Sequence, residues 1–507
     1  MLLLLGLTLG FWPEPSHADD SPQLAFAQIQ INDHPASLLF ATALDFTCLL
    51  NTGASRLGVQ NPDPWLDIYK VSIGLSAPTR VSQAGQTQVT PLLLARVPLW
   101  ARPILHLLPF RLDGLLGWPE VHDNILVFDY EARTIRRVEQ LPPETAGWVK
   151  LKVAPADSLL LELPQSDGSR GLLSLNIGLE TGRTAIRLSA GPWQAWHAAH
   201  PRAAAISDVN LGPLTLTGVT VKELPAREAD DLLEANPGVP SVWQLGSAAL
   251  AHLDLVVDGI HGWAYLHPRS SPSSPSSSAS PSSDGNWQLA DNVRLSRDNF
   301  FVYSGWYKWC GQNFAGAWAD YHQALRLNPQ NVGALSGCGS IQQIQGDFSE
   351  AVSNYDRVIE LRPDNSAWER LDRQTLLWRL PPSGAKPPPA LPHPPAAHDS
   401  ATVLPPVVVS ARQPAGSLPW SQILRLYLDG RLDEKALLAA AKQKHGERSV
   451  AGQKAQVWYY LGQARLRQGD PAGAREWFKK CQSASVKEDN EYYFAVAELA
   501  RLDSAAK

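Results

Sequence analysis

The chain has 507 residues, enough for about three domains of ordinary size. Its 44 lysines and arginines are balanced by 49 aspartates and glutamates, which gives a formal net charge of −5. No broad basic field is available to hold a phosphate backbone, so nucleic acid is excluded as an expected partner.

The N-terminal residues combine an apolar run, Met1–Trp12, with small residues at Ser16 and Ala18. This pattern predicts a signal peptide over residues 1–18 and a periplasmic or secreted mature protein. A buried N-terminal segment is the alternative, because no lysine or arginine precedes the apolar run. No later stretch holds ~18 consecutive apolar residues, so no transmembrane segment is expected.

Two segments of biased composition divide the chain. Residues 269–286 are rich in Ser and Pro, and residues 381–416 are rich in Pro and Ala. Neither can bury enough apolar surface to offset the chain entropy lost on folding, so both are predicted to be linkers. Short apolar runs separated by Gly, Pro, Asn and Asp precede the first linker and predict β-strands. The residues after it have a helical pattern.

Two motifs in the β-type region are informative together. Leu49–Ser55 reads Leu-Leu-Asn-Thr-Gly-Ala-Ser, and Leu112–Gly117 reads Leu-Asp-Gly-Leu-Leu-Gly. They resemble the active-site loop and the apolar-apolar-Gly loop of retropepsin- and pepsin-like aspartic proteases. The resemblance implies an all-β module of two lobes, over residues 22–142 and 148–268. It also implies a peptide cleft, whose candidate residues are Asn51, Thr52, Gly53, Asp113 and Gly114.

A second copy of these motifs follows one lobe later. Val242–Gly246 and Leu253–Asp258 repeat the Leu-Gly loop and the strand behind it, and Ala185–Gly191 takes the place of the aspartate loop. This alignment puts Leu188 at the second catalytic position, as Asn51 stands at the first.

The chemistry of such a site requires two carboxyl groups that share a proton. The Asn51 amide has no usable proton-accepting pKa, and Leu188 has no polar group at all. Catalysis by this pair is therefore expected to be absent. The alternative is an active aspartic endopeptidase that uses a non-standard dyad. Asp45 and Asp113 lie near the motifs, whereas Asp129 and Asp258 end strands and are expected to be turn residues.

Metal and redox chemistry have little support in the sequence. Cys48, Cys310, Cys338 and Cys481 lack C-x-x-C spacing and are predicted to be core side chains, although a Cys310–Cys338 disulfide stays open. His197-x-x-His200 lacks a third ligand, so no metal is expected. No cofactor is expected either.

The helical region contains an internal repeat. Four positions recur 34 residues apart, the tetratricopeptide period: Ala317, Tyr321, Leu325 and Pro329 match Ala351, Tyr355, Ile359 and Pro363. Helical hairpins are predicted over residues 290–380, with turns at Asn313-Phe314 and Asp347-Phe348. Whether this block stacks on the helices after the second linker is left open.

The C-terminal residues 417–503 restore the same signature. Trp458, Leu461 and Gly462 precede Gly469-Asp470, which Ala474 and Phe478 follow, and helices are predicted over 420–428 and 434–444. Ser417–Gly430 and Asn490–Leu502 resemble the C-terminal part of periplasmic NlpI-type tetratricopeptide lipoproteins. That resemblance implies an adaptor role in the periplasm. No cysteine for lipid modification follows the apolar run, so the resemblance does not imply a membrane anchor.

The sequence thus predicts a multidomain protein, with a two-lobed β module followed by all-α repeats. Its predicted function is to act as a non-catalytic adaptor or scaffold in the cell envelope. Tetratricopeptide grooves would bind a protein or peptide partner. The competing interpretation is that the two-lobed β module serves only as a stable spacer.

Overall fold

The computed structural model describes residues 23–269, 286–380, 418–443 and 450–505, apart from short gaps. The gaps are 69–70, 100, 109, 166–167, 178, 181–184, 201–205, 226–227, 230–231, 234–235, 237–238, 240, 364, 485 and 487–488. The predicted signal peptide, the whole predicted linker 381–416 and residues 270–285 of the predicted linker 269–286 lie outside the described residues.

The N-terminal part is rich in strands, and the strands are short, as the sequence pattern predicted. They are β1 Gln23–Ile31, β2 His34–Ala41, β3 Cys48–Leu50, β4 Leu66–Ile68, β5 Val71–Leu75, β6 Thr79–Gln83, β7 Gln86–Thr90, β8 Leu93–Ala95, β9 Gly114–Gly117, β10 Ile125–Asp129, β11 Thr134–Val138, β12 Val149–Lys152, β13 Leu160–Pro164, β14 Arg170–Asn176, β15 Leu179–Glu180, β16 Ile186–Leu188, β17 Ile206–Leu211, β18 Leu214–Glu223, β19 Val242–Gly246, β20 Leu253–Asp258, β21 Trp263–Pro268 and β22 Trp287–Leu289.

The strands of the described residues form two sheets. The larger has the order β12-β21-β20-β10-β11-β22-β1-β2-β9-β3-β8-β5-β4, with β6, β7 and β15 attached to this path. The smaller has the order β13-β14-β19-β16-β18-β17. Strand β22 follows the Ser/Pro-rich segment and pairs in parallel with β1 and β11, so the chain returns to the sheet before it becomes helical.

The same pairing pattern occurs once in each sheet. In the larger sheet β9 pairs in parallel with β2 and antiparallel with β3, and β3 pairs in parallel with β8. In the smaller sheet β19 pairs in parallel with β14 and antiparallel with β16, and β16 pairs in parallel with β18. A short 3₁₀ turn and then β10 or β20 follow each copy, and these two strands pair with each other.

Short helices lie among the described strands: α1 Asn51–Arg56, α2 Arg102–Leu107 and α3 Ala190–Ala199. The described residues after the strands form α4 Asn299–Cys310, α5 Phe314–Leu327, α6 Val332–Gln345, α7 Phe348–Leu361, α8 Ala367–Leu377, α9 Trp420–Leu428, α10 Glu434–Ala440, α11 Val450–Arg467, α12 Pro471–Ser483 and α13 Asn490–Ala505. The prediction of a β-rich part followed by helices is confirmed.

Several helix ends agree with the sequence signals. Helices α5 and α7 begin at Phe314 and Phe348, the second residue of each predicted turn. The side chain of Asn313 caps α5 by accepting a hydrogen bond from the Gly316 N–H at 3.0 Å. Helix α9 has the predicted bounds, whereas α10 ends at Ala440, earlier than predicted.

Internal contacts divide the chain into two compact units. The first unit holds the described residues up to Leu233, together with Val239–Cys338 and Leu361–Asn365. The second unit holds Gly339–Glu360 and the described residues after Ser366, with those of Glu234–Gly238. The boundary falls inside α6, and the first unit therefore includes α4 and α5 as well as all the strands.

The helices on both sides of the Pro-rich stretch belong to the second unit. Helix α8 ends before residues 381–417 and α9 begins after them, yet the two helices pack against each other. Gln343 of α6 donates to the Tyr459 hydroxyl of α11 at 2.8 Å. The end of α6, most of α7 and the whole of α8 thus pack with the C-terminal helices in the second unit, whereas α4 and α5 of the first helical block belong to the first unit.

The cysteines are not cross-linked. All four cysteines are free thiols, so Cys310 and Cys338 are not bonded to each other. Burial raises the pKa of both the Cys48 and the Cys338 thiol to about 12. In the described part of the chain no helix has the length and apolarity that crossing a membrane requires.

Candidate functional site

Asn51 begins helix α1 directly after β3. Its side-chain Oδ1 accepts a hydrogen bond from the Val97 N–H at 2.8 Å, and the residue is half-buried. The amide therefore positions the loop after β8. Thr52 is also half-buried, next to Asn51 on the first turn of the helix.

The two candidate glycines allow backbones to approach closely. A Cβ on Gly53 would lie 2.3 Å from the Asp113 carbonyl oxygen, and a Cβ on Gly114 would lie 2.4 Å from the Cys48 carbonyl oxygen. Both contacts are with backbone atoms, which cannot rotate away. These glycines hold the start of α1 against strand β9 and explain why both motifs contain Gly.

Asp113 is buried, with a side chain 2 % exposed, and it is fully engaged. Arg56 donates to both of its carboxylate oxygens, at 2.9 Å and 2.8 Å. The Ser37 N–H donates to Oδ2 at 2.9 Å, and the Arg111 Nε lies 3.1 Å from the same oxygen. A carboxylate whose two oxygens are both held, by an arginine and a backbone N–H, is a structural anchor, because it has no oxygen left for a substrate.

The second copy of the strand pattern shows which residue corresponds to Asn51. The Leu50 N–H donates to the Asp113 carbonyl at 2.8 Å, and the Ser189 N–H donates to the Val242 carbonyl at 3.0 Å. Ser189 is therefore the counterpart of Leu50, and Ala190 is the counterpart of Asn51.

Leu188 lies two residues before that position. It pairs with Trp243, as Leu49 pairs with Gly114. The aliphatic side chain of Leu188 is buried in the core, which the motif alignment did not reveal because both loops are apolar. Neither Asn51 nor Ala190 carries a carboxyl group, so the two corresponding positions cannot share a proton.

Other polar residues in this region have structural partners. Asp129 accepts a hydrogen bond from the Ala132 N–H, and Asp258 accepts one from the His261 N–H, so both close turns. The His197 and His200 rings stack on Trp193 and Trp196 respectively. Among the described residues no group of three or more His, Cys, Asp or Glu side chains could hold a metal.

Glu120 is a buried acid that sequence reasoning does not single out. Its side chain is fully buried, and Oε2 accepts a hydrogen bond from the Thr47 hydroxyl at 2.5 Å, while Oε1 has no partner. The Tyr303 hydroxyl of α4 approaches the same carboxyl without meeting hydrogen-bond geometry. Burial, partly offset by the neighbouring hydroxyls, raises the pKa of Glu120 to about 7.

The helical hairpins share one packing contact. A glycine on the first helix faces an aromatic ring sixteen residues later on the second: Gly305 faces Tyr321, Gly339 faces Tyr355 and Gly462 faces Phe478. A Cβ on any of these glycines would lie 2.4–2.7 Å from a ring carbon. Alanines 317, 351 and 474, one on each second helix, are fully buried. The glycine spacing is a sequence signal that the four-position repeat did not include.

The second unit has a polar interior, which we call the inner face. Its members are the side chains of α6, α8 and α11 that bond to one another: Gln343, Asp372, Tyr459, Tyr460 and Gln463. Gln343 and Gln463 both donate to the Tyr459 hydroxyl, at 2.8 Å and 3.1 Å, and the Tyr460 hydroxyl donates to Asp372 at 3.2 Å. Burial, together with the charges of Glu491 and Glu369, raises the pKa of Asp372 well above its ordinary value.

Comparison with known protein families agrees with the helical part. Family models described as tetratricopeptide repeat match residues 338–365 and residues 434–485. No curated protein matches the chain. The matched segments cover α7 with the end of α6, and α10 to α12. The fold and these matches define a β-rich protein that carries tetratricopeptide repeats, which indicate a role in protein interaction.

Proposed function

We propose that this protein is a non-catalytic adaptor of the cell envelope, in which an aspartic-protease-like module is joined to partner-binding tetratricopeptide repeats. The observation that carries the non-catalytic part is the pair of corresponding positions, Asn51 and Ala190. An amide and a methyl group cannot carry out the proton exchange that two carboxyl groups perform.

The aspartic-protease-like assignment is supported by the duplicated strand pattern. In each copy a strand that ends in Gly, β9 or β19, lies between a parallel and an antiparallel neighbour. The antiparallel neighbour, β3 or β16, is followed by a helix, α1 or α3. The loop motifs Leu49–Ser55 and Leu112–Gly117 fall at equivalent points of the first copy. Export to the periplasm rests on the apolar run that ends near Trp12 and on the small residues before the predicted cleavage after Ala18.

Incubation of the purified chain with an unfolded protein substrate, from acidic to neutral pH, tests the absence of catalysis. We expect no cleavage that pepstatin inhibits, and none to be gained by Asn51→Asp, because Ala190 supplies no second acid. A matched control is the double variant Asn51→Asp, Ala190→Asp, which places a carboxyl at both positions. Pepstatin-sensitive cleavage by the unaltered chain would overturn the non-catalytic assignment.

Affinity capture tests the adaptor role. The tagged mature chain is incubated with envelope extract beside a chain that ends at Leu327, which keeps α4 and α5 of the first unit and lacks the later repeat helices. A protein that is retained by the first and lost with the second supports binding through the repeats. Recovery of the same proteins by both chains, or by neither, contradicts it. N-terminal sequencing of the exported protein tests cleavage after Ala18.

A further inference from the structure

The hairpin β6–β7 ends at an edge of the larger sheet. Strand β6 pairs with β1 and with β7, whereas β7 pairs with β6 alone among the described strands. The two residues of the hairpin turn both have positive φ, 53° and 72°, as a two-residue type I′ turn requires. Gln83 and Gln86 therefore close the turn as a hydrogen-bonded pair, and bonded and non-bonded pairs alternate from there. The backbone N–H and C=O groups of Thr87 and Val89 thus point away from β6, towards the open edge.

Strand β7 lacks the features that protect the other edges of the described sheets. Proteins prevent the pairing of edge strands with other chains by charged side chains, prolines, register shifts or very short strands. These features are Asp67 in the three-residue β4, Lys150 and Lys152 in β12, Glu162 and Pro164 in β13, the two-residue length of β15, and Asp208 at a register shift in β17. Strand β7 has five residues, Gln-Thr-Gln-Val-Thr, with neither a charge nor a proline. Its Val89 side chain is 62 % exposed.

A small pocket lies beside this edge, between the hairpin and the segment that leads into α4. We call it the hairpin pocket. Gln83, Gln86 and Gln88 line it from the hairpin, and Leu295 and Arg297 line it from the segment. Both polar atoms of the Gln83 amide are buried without a hydrogen-bond partner. An amide in this state has lost its bonds to water, so a ligand group that bonds to it is stabilised there.

Arg297 gives the hairpin pocket a positive charge. Its Nε donates to the Gln88 Oε1 at 3.2 Å, and no carboxylate of the described residues pairs with its guanidinium group. The Gln88 side chain points to the pocket side of β7, so a strand added to β7 would place one side chain on the same side, about 4.8 Å further out. An acidic side chain at this position would accept hydrogen bonds from Arg297 and from the Gln83 amide.

We propose that β7 is the docking edge for an extended peptide of a partner protein that carries an acidic side chain. The peptide adds a strand to β7 through the backbone groups of Thr87 and Val89, and its carboxylate enters the hairpin pocket beside Arg297. A second copy of this chain fits the edge less well, because antiparallel pairing of two β7 strands brings two Arg297 side chains to the same side of the sheet. The site lies in the first unit, so it stands whether or not the repeats bind a partner of their own.

The probe is a labelled peptide, Thr-Val-Glu-Val-Thr with blocked ends, titrated to millimolar concentration into the full-length chain and followed by fluorescence anisotropy. We expect it to bind about tenfold more tightly than the same peptide with Gln at the centre, because its carboxylate makes a charge-assisted bond. N-methylation of both valines removes the amides that face β7 and should abolish binding. N-methylation of the central Glu, whose amide points away from β7, is the control and should leave most of the binding.

Two arginine variants locate the charge. Arg297→Gln should remove the advantage of the Glu peptide over the Gln peptide and leave the weaker binding of the Gln peptide unchanged. The matched control is Arg80→Gln, which removes the same charge from the opposite side of the hairpin, where Arg80 pairs with Asp33 at the surface. Equal effects of the two variants, or equal binding of all the peptides, would contradict the proposal.

Hydrogen exchange of the unaltered chain reports directly whether the edge is open. The Thr87 and Val89 amides should exchange rapidly in the free chain and slowly with the Glu peptide in excess, whereas the Gln88 amide, bonded to β6, should be protected in both. Protection of Thr87 and Val89 in the free chain would mean that another segment of the chain or a second copy already fills the edge. That result would overturn the proposal and leave the adaptor role of the repeats untouched.

Discussion

The two units exclude water from their interiors in different ways. The main core of the first unit is largely aliphatic, built from leucine, valine, isoleucine and alanine on the two sheets. The interior of the second unit instead brings together Tyr355, Tyr459 and Tyr460 with the amides of Gln343 and Gln463. Aliphatic burial has no preferred direction, whereas buried hydroxyls and amides are stable only when each finds its partner.

This difference indicates which substitutions should destabilise each unit most. In the first unit, the constraint is the close approach of backbones, as at Gly53 and Gly114, together with the few acids that are buried there. In the second unit, it is the fit of rings and polar groups between helices. The predictions below separate these two kinds of constraint, from the largest expected effect to the smallest.

Gly114→Ala should destabilise the first unit by about 4 kcal/mol, at the upper end of what single substitutions cost. The added Cβ would lie 2.4 Å from the Cys48 carbonyl oxygen and 3.1 Å from the Leu49 Cα, and both atoms belong to the backbone. Denaturant unfolding followed by hydrogen exchange in β3 and β9 measures the loss. Gly191→Ala on α3 is the control, because its Cβ would meet nothing within 4 Å. If Gly114→Ala destabilised the chain as little as Gly191→Ala does, strands β3 and β9 would be able to move apart without loss of stability.

The second largest expected effect, about 3 kcal/mol, is a dependence of the first unit's free energy of unfolding on pH. Because the pKa of Glu120 is raised from 4.5 to about 7, the folded chain keeps a proton there that the unfolded chain releases. The free energy of unfolding should therefore decrease as the pH rises from about 4.5 to about 7, and level off above. Each unit of pKa corresponds to about 1.4 kcal/mol.

Glu120→Gln should remove this decrease, since Gln stays neutral and can still accept the hydrogen bond of the Thr47 hydroxyl. The groups that face Glu120 are Thr47, just before β3, Cys48 of β3, His122 after the 3₁₀ turn and Tyr303 of α4. Glu144→Gln, which removes a carboxyl at the surface, is the control. A decrease of the same size in Glu120→Gln would assign it to another group.

Gly462→Ala should cost the second unit about 2 kcal/mol, within the usual range for overpacking a filled core. The new Cβ would lie 2.4 Å from the Phe478 ring, which is fully buried but is a side chain and can shift. Phe478→Leu in the same chain should recover part of the loss, and thermal unfolding of the four chains of this cycle measures the coupling. Gly305→Ala makes the same contact with Tyr321 in the first unit. If it costs as much, the hairpin geometry sets the penalty in both units.

The repeat made the helical part far more predictable than the β-rich part. Ala317, Tyr321 and their counterparts 34 residues on report a contact between neighbouring helices, so a local pattern contains the tertiary information. The helix starts at Phe314 and Phe348 could therefore be placed from sequence. Partners across the strands are distant in sequence, as Leu188 and Trp243 are, and an apolar run does not reveal its register.

The candidate site shows the same limit. Asn51, Gly53 and Gly114 could be found from their motifs, and the structure brings them together. The counterpart of Asn51 could not, because Ile186–Leu188 pairs on both sides and only the register identifies Ala190. The inner face was equally hidden, since the contact of Gln343 with Tyr459 joins residues on either side of the Pro-rich stretch.

The smallest expected effect tests whether the N-terminal helix caps of the two units contribute equally to stability. Asn313 caps α5 in the first unit through the Gly316 N–H at 3.0 Å, and Asp470 caps α12 in the second through the Gly473 N–H at 2.8 Å. Replacement of either by Ala should cost about 1 kcal/mol, with Asp470→Ala a few tenths larger because its charge also favours the helix N-terminus. Asn313→Ser and Asp470→Ser, which keep a side-chain oxygen, should cost much less, as thermal unfolding of the four variants would show. Serine variants as unstable as the alanine ones would mean that the first turns depend on packing, and the units would then not differ at their caps.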